Sequence, residues 1–267
     1  MLSCMSIMYP SDLSNAEWEC VQRHLPPTMT RRRRPRHPLR KVFDAIFYLL
    51  RTGCPWRYLP RDFPPWQTIY YHFRRLRLSG VWHSILIALR TAERQRMGRH
   101  PQPTAAIMDA QSVKTVEESA GISGYDAHKR VKGRKRHLLV DTLGLPLSIY
   151  VTPAGVHDQV GAHYLLAGLA PLVPRLKKIW ADGAYAGAQL AEWCKQHGGW
   201  EIQIVGHVAG KHGFAVLPRR WVVERTFGWL RRHRRLSKDY ERTAQSSETF
   251  IQVAMIRLVV RRLARSV

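Results

Sequence analysis

Residues 136–152 read RHLLVDTLGLPLSIYVT, and this stretch decides the fold class. Two runs rich in Leu, Val and Ile stand on either side of Leu143-Gly144-Leu145. Hydrophobic runs of this length around a glycine predict two antiparallel strands joined as a β-hairpin. Asp141 lies beside the turn, so we expect it to be a structural residue of the hairpin.

The sequence around the hairpin alternates between strands and helices. Residues 105–109 and 178–182 are predicted as short buried strands that end in Asp109 and Asp182. A further strand at 200–207 and a loop at 211–218 follow, and helices are predicted at 158–172, 186–197, 219–236 and 246–265. Strands followed by alternating strand and helix predict an α/β fold, a mixed sheet with helices on both faces.

The N-terminal third is predicted to be helical. Ser14 and Glu17 form a capping-box pattern, and apolar residues recur at helical spacing in 39–51, 66–78 and 81–94. The helix predicted at 66–78 carries Arg74 and Arg75 on its polar side, as in a helix-turn-helix DNA reader. The alternative is a small helical bundle that serves only for packing.

The chain is strongly basic, with 43 Lys and Arg against 19 Asp and Glu and a net charge of +24. Such a charge favours nucleic acid or an anionic membrane as partner. No apolar run reaches membrane length, no secretory signal opens the chain, and the four cysteines form no Cys-x-x-Cys pair. We expect a cytosolic protein. Arg31, Arg32, Arg33 and Arg34 lie in a predicted basic arm that contacts phosphate, unless it is only a solvated charge run.

Glu224 is the only acidic residue between Glu201 and Asp239, within the basic stretch 219–235. A carboxylate there repels the phosphates that the arginines attract, unless a divalent metal lies between them. With the two strand-end aspartates, Asp109 and Asp182, it could hold two cations roughly 3.5–4 Å apart for phosphoryl transfer. Oxygen ligands select Mg²⁺ or Mn²⁺. Spacing alone leaves open that the aspartates only form turns and that Glu224 only pairs with Arg220.

Four stretches, 125–144, 181–187, 219–227 and 235–241, together resemble the signature of bacterial insertion-sequence DDE transposases of the "IS five" group. The opening at 9–14 and the turn at 53–60 are also similar to the helical leader domain of that group. The resemblance covers nearly the whole chain.

The resemblance implies an RNase H-like catalytic fold in which Asp109, Asp182 and Glu224 are the catalytic, metal-binding triad. It implies two Mg²⁺ ions, for which Mn²⁺ substitutes. It also implies cleavage of double-stranded DNA at terminal inverted repeats and attack of the freed 3′-hydroxyl on target DNA. We expect a homodimer or larger assembly when two ends meet, no membrane partner, and a nucleoid-associated protein of the bacterial cytoplasm. The predicted domains are a helical end-recognition domain (9–96), a linker (97–104) and the catalytic domain (105–267).

The family pattern Tyr-x₂-Arg-x₃-Glu-x₆-Lys is partly kept, with Arg220 and Glu224 matching, Arg231 at the basic position and Leu217 at the Tyr position. The resemblance assigns phosphate-stabilising roles to Arg220 and Arg231. His128 and Ala184 stand where Gly is typical, so a left-handed backbone there would be strained.

Further DNA contacts are predicted from charge and helix register. Arg220, Glu224, Arg231 and Arg235 share one face if a single helix spans them, and we expect Trp221 to pack in the core. The basic loop 129–137 is predicted to grip the DNA backbone through Lys132, Arg134, Lys135 and Arg136. Two alternatives remain open: a DNA-binding protein without activity, and an RNase H-like repair nuclease that cuts without joining.

Overall fold

The computed structural model describes residues 9–27, 37–117, 121–206 and 219–265, and within them a six-stranded mixed sheet is central. The strands are β1 (Ala105–Lys114), β2 (Gly124–Asp126), β3 (Val131–Asp141), β4 (Pro146–Pro153), β5 (Lys178–Ala181) and β6 (Glu201–Ile204). β3 pairs antiparallel with β1 on one side and with β2 and β4 on the other, whereas β1, β5 and β6 run parallel.

Helices flank this sheet and precede it. They are α1 (Asn15–Gln22), α2 (Leu39–Thr52), α3 (Trp66–Leu78), α4 (Val81–Arg96), α5 (Asp158–Leu166), α6 (Ala188–Gly198), α7 (Trp221–Arg231) and α8 (Ala244–Ala264). The predicted capping box of α1 is confirmed, with Ser14 and Glu17 each accepting from the other's backbone N–H. A helical N-terminal part before a mixed sheet with flanking helices confirms the expected RNase H-like fold class.

The predicted hairpin is also confirmed, and Asp141 stabilises its turn. The Asp141 carboxylate accepts from the backbone N–H groups of Leu143 and Leu145, each at 2.9 Å. Its other oxygen pairs with Arg94 of α4. Gly144 has φ 82°, a left-handed conformation that glycine adopts without strain.

Side chains alternate across the sheet and build two separate cores. Ile107, Leu138, Val140 and Trp180 lie on the α8 face of the sheet, in one apolar cluster with α2, α3, α4, α7 and α8. Their neighbours Ala106, Met108, Leu139 and Ile179 lie on the α5 face and pack against α5 and α6. This alternation decides which of the basic and acidic residues can meet.

Several predicted boundaries were wrong, among them that of β3, which begins at Val131 and so includes most of the predicted basic loop 129–137. α5 ends at Leu166 rather than residue 172, because the chain turns at Gly168, whose φ is 69°. α7 ends at Arg231 rather than residue 236, and a short 3₁₀ helix (Arg234–Leu236) follows against the end of α2. β1 continues past Asp109 to Lys114, because β3 pairs with it along this length.

The helical part is packed firmly on the sheet part. Arg90 of α4 donates to the carbonyl of Pro146 at 2.9 Å, and α4 packs against α8. The division into two domains with a linker at 97–104 stays a prediction. Within the described residues, no helix combines the length and apolar character that a membrane crossing needs.

Candidate active site

The strand register places Asp109 and Asp182 at the same level of neighbouring strands. Ile107 of β1 pairs with Trp180 of β5, and Asp109 and Asp182 are each two residues further on. Because side chains alternate, both aspartates follow Ile107 and Trp180 on the α8 face, which α7 also covers. Asp182 caps the 3₁₀ turn Gly183–Tyr185 by accepting from the N–H of Ala184 at 3.0 Å.

α7 brings Glu224 to the same place. Asp109, Asp182 and Glu224 all line one groove of about 1280 Å³, together with Arg220 and Arg231. The Arg220 guanidinium lies 3.1 Å from an oxygen of Asp182 and 3.5 Å from an oxygen of Glu224. The structure therefore places the three sequence-predicted carboxylates along one groove, and Arg220 bridges two of them, Asp182 and Glu224.

The position of α7 depends on contacts at both of its ends. Arg219, just before the helix, has φ 74°, and its guanidinium lies 4.2 Å from the centre of the Trp180 ring. Further along, the Thr226 hydroxyl donates to the carbonyl of Gly144 at 2.9 Å. A Cβ on Gly144 would stand 2.9 Å from the Trp229 ring, so this turn needs glycine for the close approach as well as for its φ. These contacts hold α7 against both β5 and the hairpin.

Asp109 is the most electrostatically perturbed member of the group. Its pKa is raised to about 6, mainly by burial and also by the charge of Asp182, although the hydrogen bond from Ala110 and the charges of Arg220 and Lys129 lower it. The bond from the Ala110 N–H measures 2.7 Å. Asp109 is half-buried and lines the groove, so a bound cation could reach its carboxylate and would stabilise the ionised form.

The residues fit a hard divalent cation by the chemistry of their donors. Two Asp and one Glu carboxylate are oxygen ligands of the kind that Mg²⁺ and Mn²⁺ prefer. Within the described part of the chain, no three His, Cys, Asp or Glu side chains already stand as a cation-holding group. Arg220 supplies the positive charge between Asp182 and Glu224 instead.

A second charged cluster in the groove was missed by sequence reasoning. Lys135 Nζ lies 2.9 Å from Asp158 and 3.8 Å from Asp126, and donates to the carbonyl of Val156 at 2.7 Å. Asp126 also accepts from the Ser112 hydroxyl at 2.6 Å. Asp158 is the first residue of α5, directly after the N-cap residue His157, and it pairs with Lys135.

Strand alternation could have found this cluster. Arg134 and Arg136 share the α8 face with Leu138, whereas Lys135 and His137 lie on the α5 face. A basic run in a strand is therefore divided between two faces, and its members cannot all meet DNA.

The assignment of Arg134, Lys135, Arg136 and Arg235 to the DNA interface is corrected, since all four are buried. Arg134 pairs with Asp239 at 3.0 Å, and Arg136 donates to the carbonyls of Leu236 and Lys238.

Arg235 lies in the 3₁₀ helix instead of on α7 and pairs with Glu241 at 2.7 Å. The shared face that was predicted for a longer α7 therefore does not extend to Arg235.

The other predicted DNA contacts remain accessible. Lys132, Arg74 and Arg231 are exposed and Arg75 is half-buried, while the arm Arg31 to Arg34 lies outside the described residues.

Two sequence expectations about single residues were also wrong. Neither His128 nor Ala184 has a left-handed backbone; among described residues other than glycine, Arg130 and Arg219 do. Trp221 is 43% exposed rather than buried, and Arg225 stacks 4.5 Å from its ring.

Comparison with known proteins agrees with this arrangement. A family model described as "Transposase DDE domain" matches residues 100–259, and one described as "Putative transposase of IS4/5 family" matches residues 13–86. A relative named "Putative transposase for insertion sequence element IS402", from Burkholderia cepacia, is 29% identical over 129 residues. That match covers 45% of this chain and 60% of the relative. Because the first family model spans more than half of the chain, the chain belongs to the transposase DDE domain family.

Proposed function

We propose that this protein is a DNA transposase that cuts at the terminal inverted repeats of its insertion element and joins the freed 3′-hydroxyl ends to target DNA. The observation that carries the proposal is the convergence of Asp109, Asp182 and Glu224 on one groove. The relative that matches this chain is named as a transposase for an insertion sequence, which supports the same activity.

The three carboxylates would hold two divalent metal ions, Mg²⁺ with Mn²⁺ as a substitute. Such ions, when bound, activate the attacking oxygen and stabilise the leaving 3′-oxygen of an in-line displacement. Asp109 would supply a half-buried carboxylate from β1, and Asp182 one from the end of β5. Glu224 is 56% exposed on its side chain, so it can approach from the open side of the groove.

Arg220 and Arg231 would then act on the DNA phosphates. Arg220 neutralises Asp182 and Glu224 in the protein alone. With those carboxylates held by divalent cations, the Arg220 guanidinium would be free to pair with a DNA phosphate, for which its planar fork is suited. Arg231 is exposed at the same groove and adds a second positive charge.

The partner is double-stranded DNA, bound through an extended basic surface. The helical part at 9–96 would recognise the ends, with Arg74, Arg75 and Lys132 among the phosphate contacts and the arm Arg31 to Arg34 adding to them. Two ends must be brought together for joining, so the working form is a homodimer or a larger assembly. A nucleoid-associated location in the bacterial cytoplasm follows from this partner.

The experiment that tests the proposal incubates the protein with labelled DNA that carries the element's ends, with and without Mg²⁺ or Mn²⁺. We expect metal-dependent nicking at the ends and covalent joining to a target plasmid. Binding to the ends without any nicking would contradict the proposal and would indicate a DNA-binding protein without enzymatic activity. Nicking without joining would instead indicate a repair-type nuclease.

A further inference from the structure

A second concave site lies on the other side of α7, away from the three carboxylates. It is a cavity of about 340 Å³ between the start of the described chain, the C-terminal end of α2, the residues after α7, and α8. This volume falls within the range of small-molecule sites, which begins at about 300 Å³. It does not share a lining residue with the carboxylate groove.

The rim of this cavity is strongly positive. Arg51, Arg232 and Arg261 line it and are exposed, and the buried Arg257 lines it from α8. Arg257 already pairs with Glu17 at 2.9 Å, and Arg261 lies 3.8 Å from the same carboxylate. Glu17 therefore offsets two of the four guanidinium groups, and the rim keeps an excess of positive charge.

Arg232 is the rim arginine that is best placed to bind a ligand. Its backbone carbonyl accepts from Arg51 at 2.5 Å, which ties the residue after α7 to α2. In the part of the chain that the structure describes, no hydrogen bond or ion pair reaches its guanidinium. Like-charged side chains converge here with few partners, an arrangement that costs free energy unless an anion binds between them.

His233 adds an independent sign of an incomplete site. Its Nδ1 atom is buried and makes no hydrogen bond in the structure. The Oγ atom of the buried Ser11 also makes no hydrogen bond. Both residues line the cavity. The pKa of His233 is lowered to about 4, mainly by burial and also by the positive charges of Arg51, Arg257, Arg261 and Arg232. Buried polar atoms of this kind are commonly satisfied by a ligand or a water molecule.

The floor of the cavity is apolar. Phe47 of α2 and Met255 and Leu258 of α8 form it, and Trp229 lies at its side. The protein already buries Phe47 and Met255, so the apolar surface left open is that of the half-buried Leu258 and Trp229. A compact apolar or aromatic body would cover these two side chains, whereas an inorganic ion alone would not.

We propose that this cavity binds an organic phosphate, a phosphate ester whose aromatic or apolar body covers the floor while its phosphate contacts Arg232, Arg261 and Arg51. A phosphate ester is favoured over a carboxylate because it offers more charge and three oxygens to several arginines. A nucleoside monophosphate has this chemistry, either as a free nucleotide or as a unit of a DNA strand. The site does not depend on the proposed transposase activity.

The test is calorimetric titration with deoxyadenosine monophosphate in EDTA, so that no metal occupies the carboxylate groove. We expect one site per chain, with weaker binding of inorganic phosphate and of deoxyadenosine. Arg232→Gln should weaken nucleotide binding at least about tenfold, because it removes a charge-assisted contact. Arg265→Gln removes the same charge from an exposed position of the same region that does not line the cavity, and should leave binding unchanged.

A second variant examines the apolar floor. Leu258→Trp should fill the cavity and abolish nucleotide binding while inorganic phosphate still binds, with circular dichroism confirming that the variant is folded. Equal losses of nucleotide affinity in Arg232→Gln and Arg265→Gln, or binding without a defined stoichiometry, would contradict the proposed site. Either result would indicate only a general attraction of the nucleotide to a basic protein.

A competition arm distinguishes the two sources of the phosphate. A short DNA duplex that displaces the nucleotide, and that binds more weakly to Arg232→Gln than to Arg265→Gln, identifies the site as a DNA contact. A duplex that binds without displacing the nucleotide identifies a site for a free nucleotide.

Discussion

Replacing Arg134 by methionine should destabilise the protein strongly, although the sequence places this arginine in a basic loop. Its guanidinium pairs with Asp239 at 3.0 Å and donates to the carbonyls of Glu241, Arg242 and Ile122 at 2.8 to 3.1 Å. Both members of the pair are 1% exposed. These contacts join β3 to the segment between α7 and α8, which follows the helix that carries Glu224.

The expected cost follows from leaving Asp239 buried without its counter-charge. Breaking one side of a buried ion pair costs about 3–5 kcal/mol. The Ser247 hydroxyl and the Glu241 N–H still donate to Asp239, which favours the lower end of that range. Since domains are stable by only about 5–15 kcal/mol, urea unfolding should show a large shift of the midpoint. Combining Arg134→Met with Asp239→Asn should recover part of the loss, because no buried charge is then left unpaired.

Lys132→Met is the matched control, since Lys132 lies on the same strand and is exposed. It should change the free energy of unfolding by no more than about 0.5 kcal/mol while weakening DNA binding and its salt dependence. If Arg134→Met left stability unchanged and weakened DNA binding as much as Lys132→Met, the buried role of Arg134 would be refuted.

Three further predictions concern the fold and the basic arm. Gly161→Ala would place a Cβ 2.1 Å from His137, so thermal unfolding should show a loss of about 1–3 kcal/mol; an unchanged melting temperature would contradict this packing. Burial raises the pKa of Glu248 to about 7 from an ordinary 4.5. The stability that the neutral carboxyl contributes to the folded protein is therefore fully present below pH 4.5 and is lost as the pH rises through 7. Glu248→Gln keeps the acceptor for Val151 and should flatten this dependence in urea unfolding, whereas an identical pH profile would rule the role out. Neutralising Arg31 to Arg34 should reduce the log–log salt slope of DNA binding by about 0.9 per lost phosphate contact, and an unaltered slope would mean that the arm does not touch DNA.

Local sequence signals predicted an α/β fold and marked Asp109, Asp182 and Glu224 as candidates, whereas the RNase H-like fold class and the choice of these three carboxylates came from the family resemblance. The glycine turn after Asp141 predicted the hairpin, and the two acids after buried strands predicted where Asp109 and Asp182 would meet. The sequence does not show that Asp109 and Asp182 lie side by side on neighbouring strands, because this depends on the parallel register that pairs Ile107 with Trp180.

The basic residues were predicted less well, because charge alone does not distinguish an exposed arginine from a buried one. Arg134, Arg136 and Arg235 have buried acidic or carbonyl partners that lie about 6 to 108 positions away in the chain. The length of α7 was overestimated for a similar reason. The helical pattern continues past Arg231, but the 3₁₀ helix that follows packs against Gly53 of the distant α2.

The central claim is that Asp109, Asp182 and Glu224 form the catalytic group, and Glu224→Gln tests it most directly. Asp158→Asn is the control, because Asp158 lines the same groove and pairs with Lys135 instead. Metal-dependent nicking of end-containing DNA should fall at least about a hundredfold in Glu224→Gln, since the lost metal contact is worth several kcal/mol.

DNA binding by Glu224→Gln should stay equal or become tighter, because a charge that repels phosphate is gone. Asp158→Asn, verified as folded, should keep most of its nicking activity. A Glu224→Gln variant that still nicks, or one that loses DNA binding in parallel with nicking, would contradict the account.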